Sequence, residues 1–318
     1  MQHDSDGFNR WEASQKLGVD VLQSLTAAYQ QGEPLAFDAR LSEAYRSVLL
    51  DETLDPAMVA KILTLPSEAY LSELVDEIDV DAIHAARTFA RQHIANALEA
   101  EFIAAYERCS SSEPYSPDAD SIAKRALRNL SLAYLVETEK PQHLSLARTQ
   151  FDNADNMTDS QAALGLLVHS NDEMAASEVL AIFYERWSEE SLVVNQWLSV
   201  QASDPKLGTL NKVLALMDHP AFTMRNPNKV RSLISAFAMQ NPVNFHQLDG
   251  SGYAFLADRI IELNALNPQI ASRLVTPLTR WKRYSEQRQA LMKNELQRIM
   301  DSGSLSTDVY EVVSKSLV

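Results

Sequence analysis

The sequence is poor in cysteine and glycine, and both shortages narrow the possible folds. Its 318 residues include one cysteine, Cys109, and eight glycines. A single cysteine excludes a disulfide within the chain and a zinc site built from paired thiolates. We interpret Cys109 as a small, partly buried thiol near a helix end rather than as a nucleophile. Few glycines, together with much alanine, leucine, glutamate and glutamine, favour helix throughout.

Long apolar runs and an excess of basic residues are also missing. No run is long enough to cross a bilayer, and the opening residues MQHDSDGFNRWEA lack the apolar core of a signal peptide. We therefore expect a cytoplasmic protein without a membrane partner. The formal net charge is −15, whereas nucleic-acid binding usually requires a basic surface. A nucleic-acid partner is therefore not expected.

The sequence motifs of common catalytic sites are absent as well. A zinc hydrolase of the H-E-x-x-H type needs two histidines four residues apart, and no pair of the seven histidines has this spacing. The sequence also lacks the G-x-x-x-x-G-K-[ST] phosphate loop, the G-x-G-x-x-G turn and the G-x-S-x-G elbow. We therefore predict no catalytic residue, no metal ligand and no cofactor site in this chain.

The pattern of apolar residues predicts helices connected by short loops and no strand. Residues 80 to about 108 are predicted to form one long helix, and Thr158 with Gln161 forms a capping-box pattern before the apolar run that follows. Many successive helices with short connectors indicate an all-α fold, either an α-solenoid or layered helix pairs. No repeat of fixed period is present in the sequence, so any repetition would be structural.

The segment 219–284 differs from the rest of this acidic chain in its charge. It holds eight Lys and Arg residues against three Asp and Glu residues. Its Asn-Pro pairs at 226–227, 241–242 and 267–268 predict three helices that start at proline. Arg231 would lie one turn into the first of these helices. Gln269 and Arg273 are four residues apart and would share a face of the third.

Two interpretations of these arginines are open from the residues alone. Arginines near helix N-termini could bind an anionic group such as a carboxylate. Alternatively, each arginine could pair with a nearby acid and brace the packing of helices. The residues alone favour the second interpretation, because structural ion pairs are the commoner cause of such a pattern.

Five segments of the chain resemble one known protein family. The segment FTMRNPNKVRSLISAFAMQNPVNFHQLDGSGYAFLADRIIELNALNPQIASRLVTPLTRWKRY, residues 222–284, closely resembles the C-terminal helical domain of the bacterial aminopeptidase N family. These alanyl aminopeptidases are zinc metallopeptidases of the gluzincin superfamily. Four further segments resemble the same domain in the same order: FNRWEASQKL (8–17), SVLLDETLDPAMVAKILTLPS (47–67), DSIAKRALRNLSLAYL (120–135) and FDNADNMTDSQAAL (151–164).

The resemblance implies a fold and a role for the whole chain. The fold is a HEAT- or armadillo-like superhelix of antiparallel helix pairs, with residues 1–318 as one C-terminal domain and 1–7 as a lead-in. In the family this domain packs over a thermolysin-like catalytic domain, which holds the zinc ligands and the catalytic glutamate and is absent from this chain. The implied partners are that catalytic domain, in the same polypeptide, and peptide substrates.

The resemblance also implies which residues contact substrate. Arg231 of NPNKVRSL, and Gln269 and Arg273 of NPQIASRL, match positions that line the substrate chamber, where an arginine could hold a peptide carboxylate. The chain alone is expected to be inactive. The alternative is a free-standing α-solenoid scaffold that binds a protein on its concave face. A reading frame that continues upstream of Met1 into H-E-x-x-H would distinguish the two.

Overall fold

A computed structural model describes residues 6–111 and 113–318 of the chain. Within these residues the backbone forms helices and no β-strand, with one isolated parallel bridge between Ile78 and Tyr284. The predicted all-α class is confirmed. The helices belong to two compact units. The assignment of 1–318 to one domain stays a prediction, and residues 1–5 of the predicted lead-in lie outside the described residues.

The described part of the first unit covers residues 6–74 and 81–176. Asp6 caps the first helix, which begins at Gly7. The helices of this unit are α1 (Gly7–Gln30), α2 (Ala39–Leu50), α3 (Pro56–Leu63), α4 (Glu68–Glu73), α5 (Val80–Ala97), α6 (Glu99–Arg108), α7 (Ala119–Val136), α8 (Pro141–Asn153) and α9 (Met157–Val168).

Helix α7 is the centre of the first unit and packs against α3, α6, α8 and α9. Its Tyr134 stacks on Phe102 of α6 with ring centroids 4.5 Å apart, and its hydroxyl donates to the carbonyl of Leu63 at 2.7 Å. This satisfies a polar atom that burial would otherwise leave unpaired. Cys109 lies at the end of α6, as predicted, but it is buried rather than partly buried. This burial raises the pKa of its thiol above the ordinary value.

Residues 80–108 do not form the single helix that their apolar periodicity predicts. The helical geometry is interrupted at Leu98, where φ is −121° and ψ is 23°, so α5 and α6 are separate elements. Leu98 is fully buried and still donates to the carbonyl of Ile94 and accepts from the amide of Phe102. The interruption therefore costs few backbone hydrogen bonds, and tertiary packing, which periodicity does not report, favours it.

The start of α9 is also different from its prediction. Asn156, rather than Thr158, is the N-cap, and its side chain accepts from the amide of Asp159 at 3.0 Å. Asp159 is itself buried, and its carboxylate accepts from Arg128 at 2.7 Å, Asn129 at 2.8 Å and Asn156 at 2.8 Å. Because Asn156 both caps the helix and binds this carboxylate, the buried Asp159 network determines where α9 begins.

The second unit covers Val75–Val80 and Ser177–Val318. Helix α10 (Glu173–Trp187) continues into it. The following helices are α11 (Ser191–Ala202), α12 (Thr209–Met217), α13 (Pro227–Val230), α14 (Ala236–Gln240), α15 (Pro242–Phe245), α16 (Ser251–Leu266), α17 (Pro268–Leu274), α18 (Thr276–Thr279), α19 (Glu286–Met300) and α20 (Thr307–Leu317). A π-helical turn fills Arg231–Ser235, and a 3-10 turn fills Trp281–Arg283.

The three predicted Asn-Pro helix starts are present in the second unit. Asn226, Asn241 and Asn267 are N-caps whose side chains accept from backbone amides, and a proline takes the first helical position each time. The asparagine satisfies an amide that the helix leaves unpaired, and proline has no amide to lose there. Local chemistry therefore indicates where these three helices begin, and Asn241 is held in addition by hydrogen bonds that it donates to the carbonyls of Ala202 and Asp204.

Helix α16 is the centre of the second unit and packs against α15, α17 and α19. The approach to α15 is very close, because a Cβ added at Gly252 would lie 2.3 Å from the carbonyl oxygen of Phe245. That contact brings Tyr253 against His246, with the tyrosine hydroxyl 2.9 Å from His246 Nδ1. The His246 ring also stacks on the Tyr284 ring, with centroids 4.5 Å apart, so the contacts of His246 join three segments of the unit.

Candidate functional site

Arg231 lies on an irregular part of an otherwise continuous helical segment, 227–240. The residues Arg231–Ser235 form a π turn between α13 and α14, and Arg231 is its first residue. The Ser199 hydroxyl on α11 donates to the carbonyl of Ser232 at 2.9 Å, which supplies the widened turn with an external partner. Single π turns within helices occur frequently at functional sites because they alter the direction of nearby side chains.

The side chain of Arg231 is exposed. Its Nη1 donates to the side-chain oxygen of Asn228 at 3.2 Å, one turn earlier. Within the described residues, Arg231 has no ion pair with an acid. The asparagine contact orients the guanidinium without neutralising it, so the remaining donors can bind an anionic group.

Gln269 and Arg273 share the exposed face of α17, as their spacing predicts. The opposite face of this helix buries Ile270, Ala271 and Leu274, and α17 packs on α16 and α20. The two exposed side chains are therefore presented from a helix that is fixed on its other face. Over residues 6–111 and 113–318, Arg273 has no ion pair, and neither side chain has a hydrogen bond to the protein.

The structure brings Gln269 and Arg273 together but does not join Arg231 to them. Arg231 lies in the segment that packs on α11, whereas α17 packs on α16, α18 and α20. No hydrogen bond in the described part of the chain connects Arg231 with either residue of α17. Arg259 does lie near an acid, since its Nε is 3.6 Å from Glu262 Oε2, but both residues belong to α16, so this pair does not brace one helix against another.

The run TRWKRY, residues 279–284, has mainly structural contacts. Trp281 is buried, and its indole nitrogen donates to the carbonyl of Ser316 at 2.8 Å. Arg283 donates a hydrogen bond to the carbonyl of Val75, and its own carbonyl accepts from the amide of Ile78 at 2.7 Å. These contacts hold residues 75–80 in the second unit, so this basic run connects segments of the protein.

Two further groups have no signal in the sequence. His246 is buried, and burial, reinforced by the charge of Arg288, lowers its pKa from 6.5 to about 3. The Arg288 side chain donates from Nε to the His246 carbonyl at 2.9 Å. Arg259 lines a pocket of this unit. The spacing of charges in the sequence shows neither feature, since both depend on which segments meet.

The described residues hold no candidate metal site and no candidate membrane span. Over 6–111 and 113–318, no group of three or more His, Cys, Asp or Glu side chains is arranged to hold a metal ion. The zinc implied by the family resemblance therefore has no fitting set of ligands among these side chains. Within the same ranges, no helix is both long enough and apolar enough to cross a membrane.

The whole sequence matches a known family. Residues 1–318 fit a family model described as "Domain of unknown function (DUF3458_C) ARM repeats". The chain is 42% identical to aminopeptidase N of Escherichia coli (strain K12) over 318 residues, which are all of this chain and 36% of that protein. It is 38% identical to aminopeptidase N of Haemophilus influenzae over 310 residues, 98% of this chain and 35% of that protein.

A solved structure agrees with these sequence relatives. The crystal structure of Legionella pneumophila aminopeptidase A in complex with aspartic acid has a TM-score of 0.89 to this chain. It is 30% identical in sequence, and the match covers 99% of this chain and 37% of that one. The fold is thus that of an armadillo-repeat helical domain, as predicted. The chain belongs to the family of C-terminal domains of bacterial aminopeptidase N. It spans about a third of the length of the relatives that it matches.

Proposed function

We propose that this chain is a non-catalytic domain of a zinc-dependent aminopeptidase N that removes N-terminal residues from short peptides. In this role it encloses the active-site chamber and controls the access of substrate. Its partners are the catalytic domain of the same polypeptide and the peptides that enter the chamber. The cytoplasmic location expected from the sequence is part of this proposal.

The observation that carries the proposal is how the chain aligns with its relatives. All 318 residues match one continuous third of aminopeptidase N of E. coli, at 42% identity. Two thirds of that relative therefore have no counterpart here. Zinc, which would supply a Lewis acid and an activated water for peptide hydrolysis, is assigned by the family resemblance to that other part. The residues of this chain would then contribute positioning and enclosure.

Arg231, Gln269 and Arg273 give the enclosing role its chemistry. All three side chains are exposed, and the two arginines have no acid partner in the described structure. A guanidinium without an acid partner can form two parallel hydrogen bonds to the carboxylate of a peptide. We assign to Arg273 the binding of the peptide's carboxylate end, and to Gln269 a neutral contact beside it. We assign to Arg231 a separate contact with an anionic group of the substrate.

The first test separates this domain from an enzyme. We expect the 318-residue chain to bind no stoichiometric zinc and to leave alanyl-p-nitroanilide uncleaved. The protein encoded by the complete natural reading frame should bind zinc and cleave this substrate. Metal analysis and a chromogenic assay measure this. Zinc binding and cleavage by the 318-residue chain alone would overturn the proposal. A natural frame that begins at Met1 would favour the free-standing scaffold.

The second test addresses the arginines. In the complete protein, Arg273→Ala should raise KM for a peptide with a free carboxylate at least about tenfold, because a hydrogen bond to a charged group contributes about 1.5–3 kcal/mol. KM for an uncharged amide substrate should change little. The control is Arg186→Ala, an exposed arginine on α10. Equal changes with both substrates would mean that Arg273 has a structural role instead.

A further inference from the structure

The second unit contains a pocket that the proposed function does not use. Its volume is about 640 Å³, and it is formed by the end of α12, the connector 218–226 and one face of α16. We call it the Arg259 pocket. Arg231, Gln269 and Arg273 do not line it. Its lining residues include Met217, Asp218, Phe222, Met224, Arg259 and Glu262.

Arg259 is held in the wall of this pocket without a good acceptor. Its side chain is 23% exposed, yet its Nε is buried and makes no hydrogen bond. The nearest carboxylate oxygen, of Glu262, lies 3.6 Å away, which is too far for a hydrogen bond. Nη1 reaches only the sulfur of Met217 at 3.6 Å, a weak acceptor. An unsatisfied buried donor is costly, so this guanidinium favours binding an added oxygen acceptor.

The remaining lining residues of the Arg259 pocket indicate which chemical groups a ligand would carry beside its oxygen acceptor. Phe222 and the thioethers of Met217 and Met224 provide an apolar, adaptable surface. Asp218 is exposed, and Glu262 is about half exposed, so both place negative charge at the pocket without filling it. One partly buried cation, apolar walls and two outer carboxylates together suit a ligand with a carboxylate next to an apolar side chain. A free amino acid or the last residue of a peptide has this chemistry.

We propose that the Arg259 pocket binds the carboxylate of an apolar amino acid, either free or at the C-terminus of a peptide, with Arg259 as the carboxylate ligand. The side chain of the amino acid packs against Phe222, Met217 and Met224. A free amino group, where present, faces Asp218 and Glu262. This site does not depend on the gating role, because it uses different residues from the chamber arginines.

The experiment compares two probes that differ only in the carboxylate, in the complete natural protein. N-acetyl-L-leucine carries it, and N-acetyl-L-leucinamide does not. Because both have a blocked amino group, an aminopeptidase centre would not bind them as substrates. Titration calorimetry should show binding of N-acetyl-L-leucine and at least tenfold weaker binding of the amide. L-leucine is the third probe. A lower affinity for L-leucine in the Arg259→Gln protein than in the parent would show that the pocket also binds free amino acids.

Two variants move the result in opposite directions. Arg259→Gln should weaken the binding of N-acetyl-L-leucine at least tenfold. Glu262→Gln should tighten the binding of N-acetyl-L-leucine about two- to fivefold, because a carboxylate that competes for the guanidinium is removed. Arg186→Gln on α10 is the matched control and should leave the affinity unchanged. Thermal melts establish that each variant is folded.

The proposal is wrong if the amide probe binds as well as the acid, or if none of the probes binds. It is also wrong if Arg259→Gln leaves the affinity for N-acetyl-L-leucine unchanged, or if Glu262→Gln weakens it. These results are independent of the zinc and activity assays. Failure at the Arg259 pocket and failure of the proposed gating role can therefore be told apart.

Discussion

Acidification should destabilise the second unit through one buried histidine, His246. Its ring is stacked on Tyr284, and its Nδ1 lies 2.9 Å from the Tyr253 hydroxyl. Burial is the main cause that lowers its pKa from 6.5 to about 3, and the nearby Arg288 charge adds to it. The folded unit therefore keeps this histidine neutral at pH values where the unfolded chain protonates it.

The size and sign of the effect follow from proton binding. Between pH 6.5 and about 3, the unfolded chain binds one proton at His246 that the folded chain does not. The free energy of unfolding then falls by about 1.4 kcal/mol for each pH unit. The contribution is complete above pH 6.5 and decreases as the pH falls through this window. At pH 5 the loss is about 2 kcal/mol relative to pH 7.5.

Tryptophan fluorescence can follow this unit selectively. Trp187, Trp197 and Trp281 lie in the second unit, so replacing Trp11 with phenylalanine leaves all of the signal there. Urea unfolding at pH 7.5 and 5 gives the change in the free energy of unfolding. The histidine contribution is the difference between the parent protein and His246→Gln, in which an amide can still accept from the Tyr253 hydroxyl.

We expect the parent to lose about 2 kcal/mol more than His246→Gln between these two pH values. His93→Gln is the control, because His93 is exposed and lies in the first unit. Subtraction between variants removes the contributions of other titrating groups. An equal loss in the parent and in His246→Gln would refute the reasoning, since the buried ring would then not control the pH dependence.

Two substitutions test close packing and buried charge. Gly252→Ala should lower the stability of the second unit by about 1–3 kcal/mol, because the new Cβ meets the Phe245 carbonyl oxygen at 2.3 Å. Gly7→Ala, where a Cβ meets the flexible end of Met58, should cost less in urea unfolding. Asp159→Asn keeps the shape but leaves Arg128 without its charge partner, so hydrogen exchange at α7 and α9 amides should report about 3 kcal/mol lower protection. Unchanged exchange would mean that neighbouring amides suffice to hold Arg128.

Local chemistry made some elements predictable from the sequence. The Asn-Pro pairs fixed the starts of α13, α15 and α17, because cap and proline act within a few residues. The shared face of Gln269 and Arg273 followed from helical spacing. Leu98 was not predictable as a helix end, since nothing in its neighbourhood breaks a helix and only its packing does. The Asp159 network explains the misplaced cap at Thr158 in the same way.

The candidate sites, like the helices, were only partly predictable from the sequence. Charge counting found the basic segment 219–284, but it could not say which arginines have acceptors. The π turn at Arg231 has no signal in the sequence RSLIS, because a hydroxyl from α11 supports it. The need of Arg259 for an acceptor depends on the distance of Glu262, which is 3.6 Å in the fold. Partner geometry, rather than composition, separates these two arginines.

The acidity of the chain makes the unpaired arginines more informative. With 43 acidic residues against 28 basic ones, an arginine on this surface readily finds a carboxylate, as Arg46 does with Glu101. Arg231 and Arg273 have no such partner in the described structure, because segment 219–284 holds only three acids. Charges separated by more than about 8 Å are largely screened at physiological salt, so the net charge of −15 scarcely opposes an anion already in contact. A peptide carboxylate at these arginines therefore displaces water rather than an acidic side chain, whereas a ligand of Arg259 must compete with Glu262.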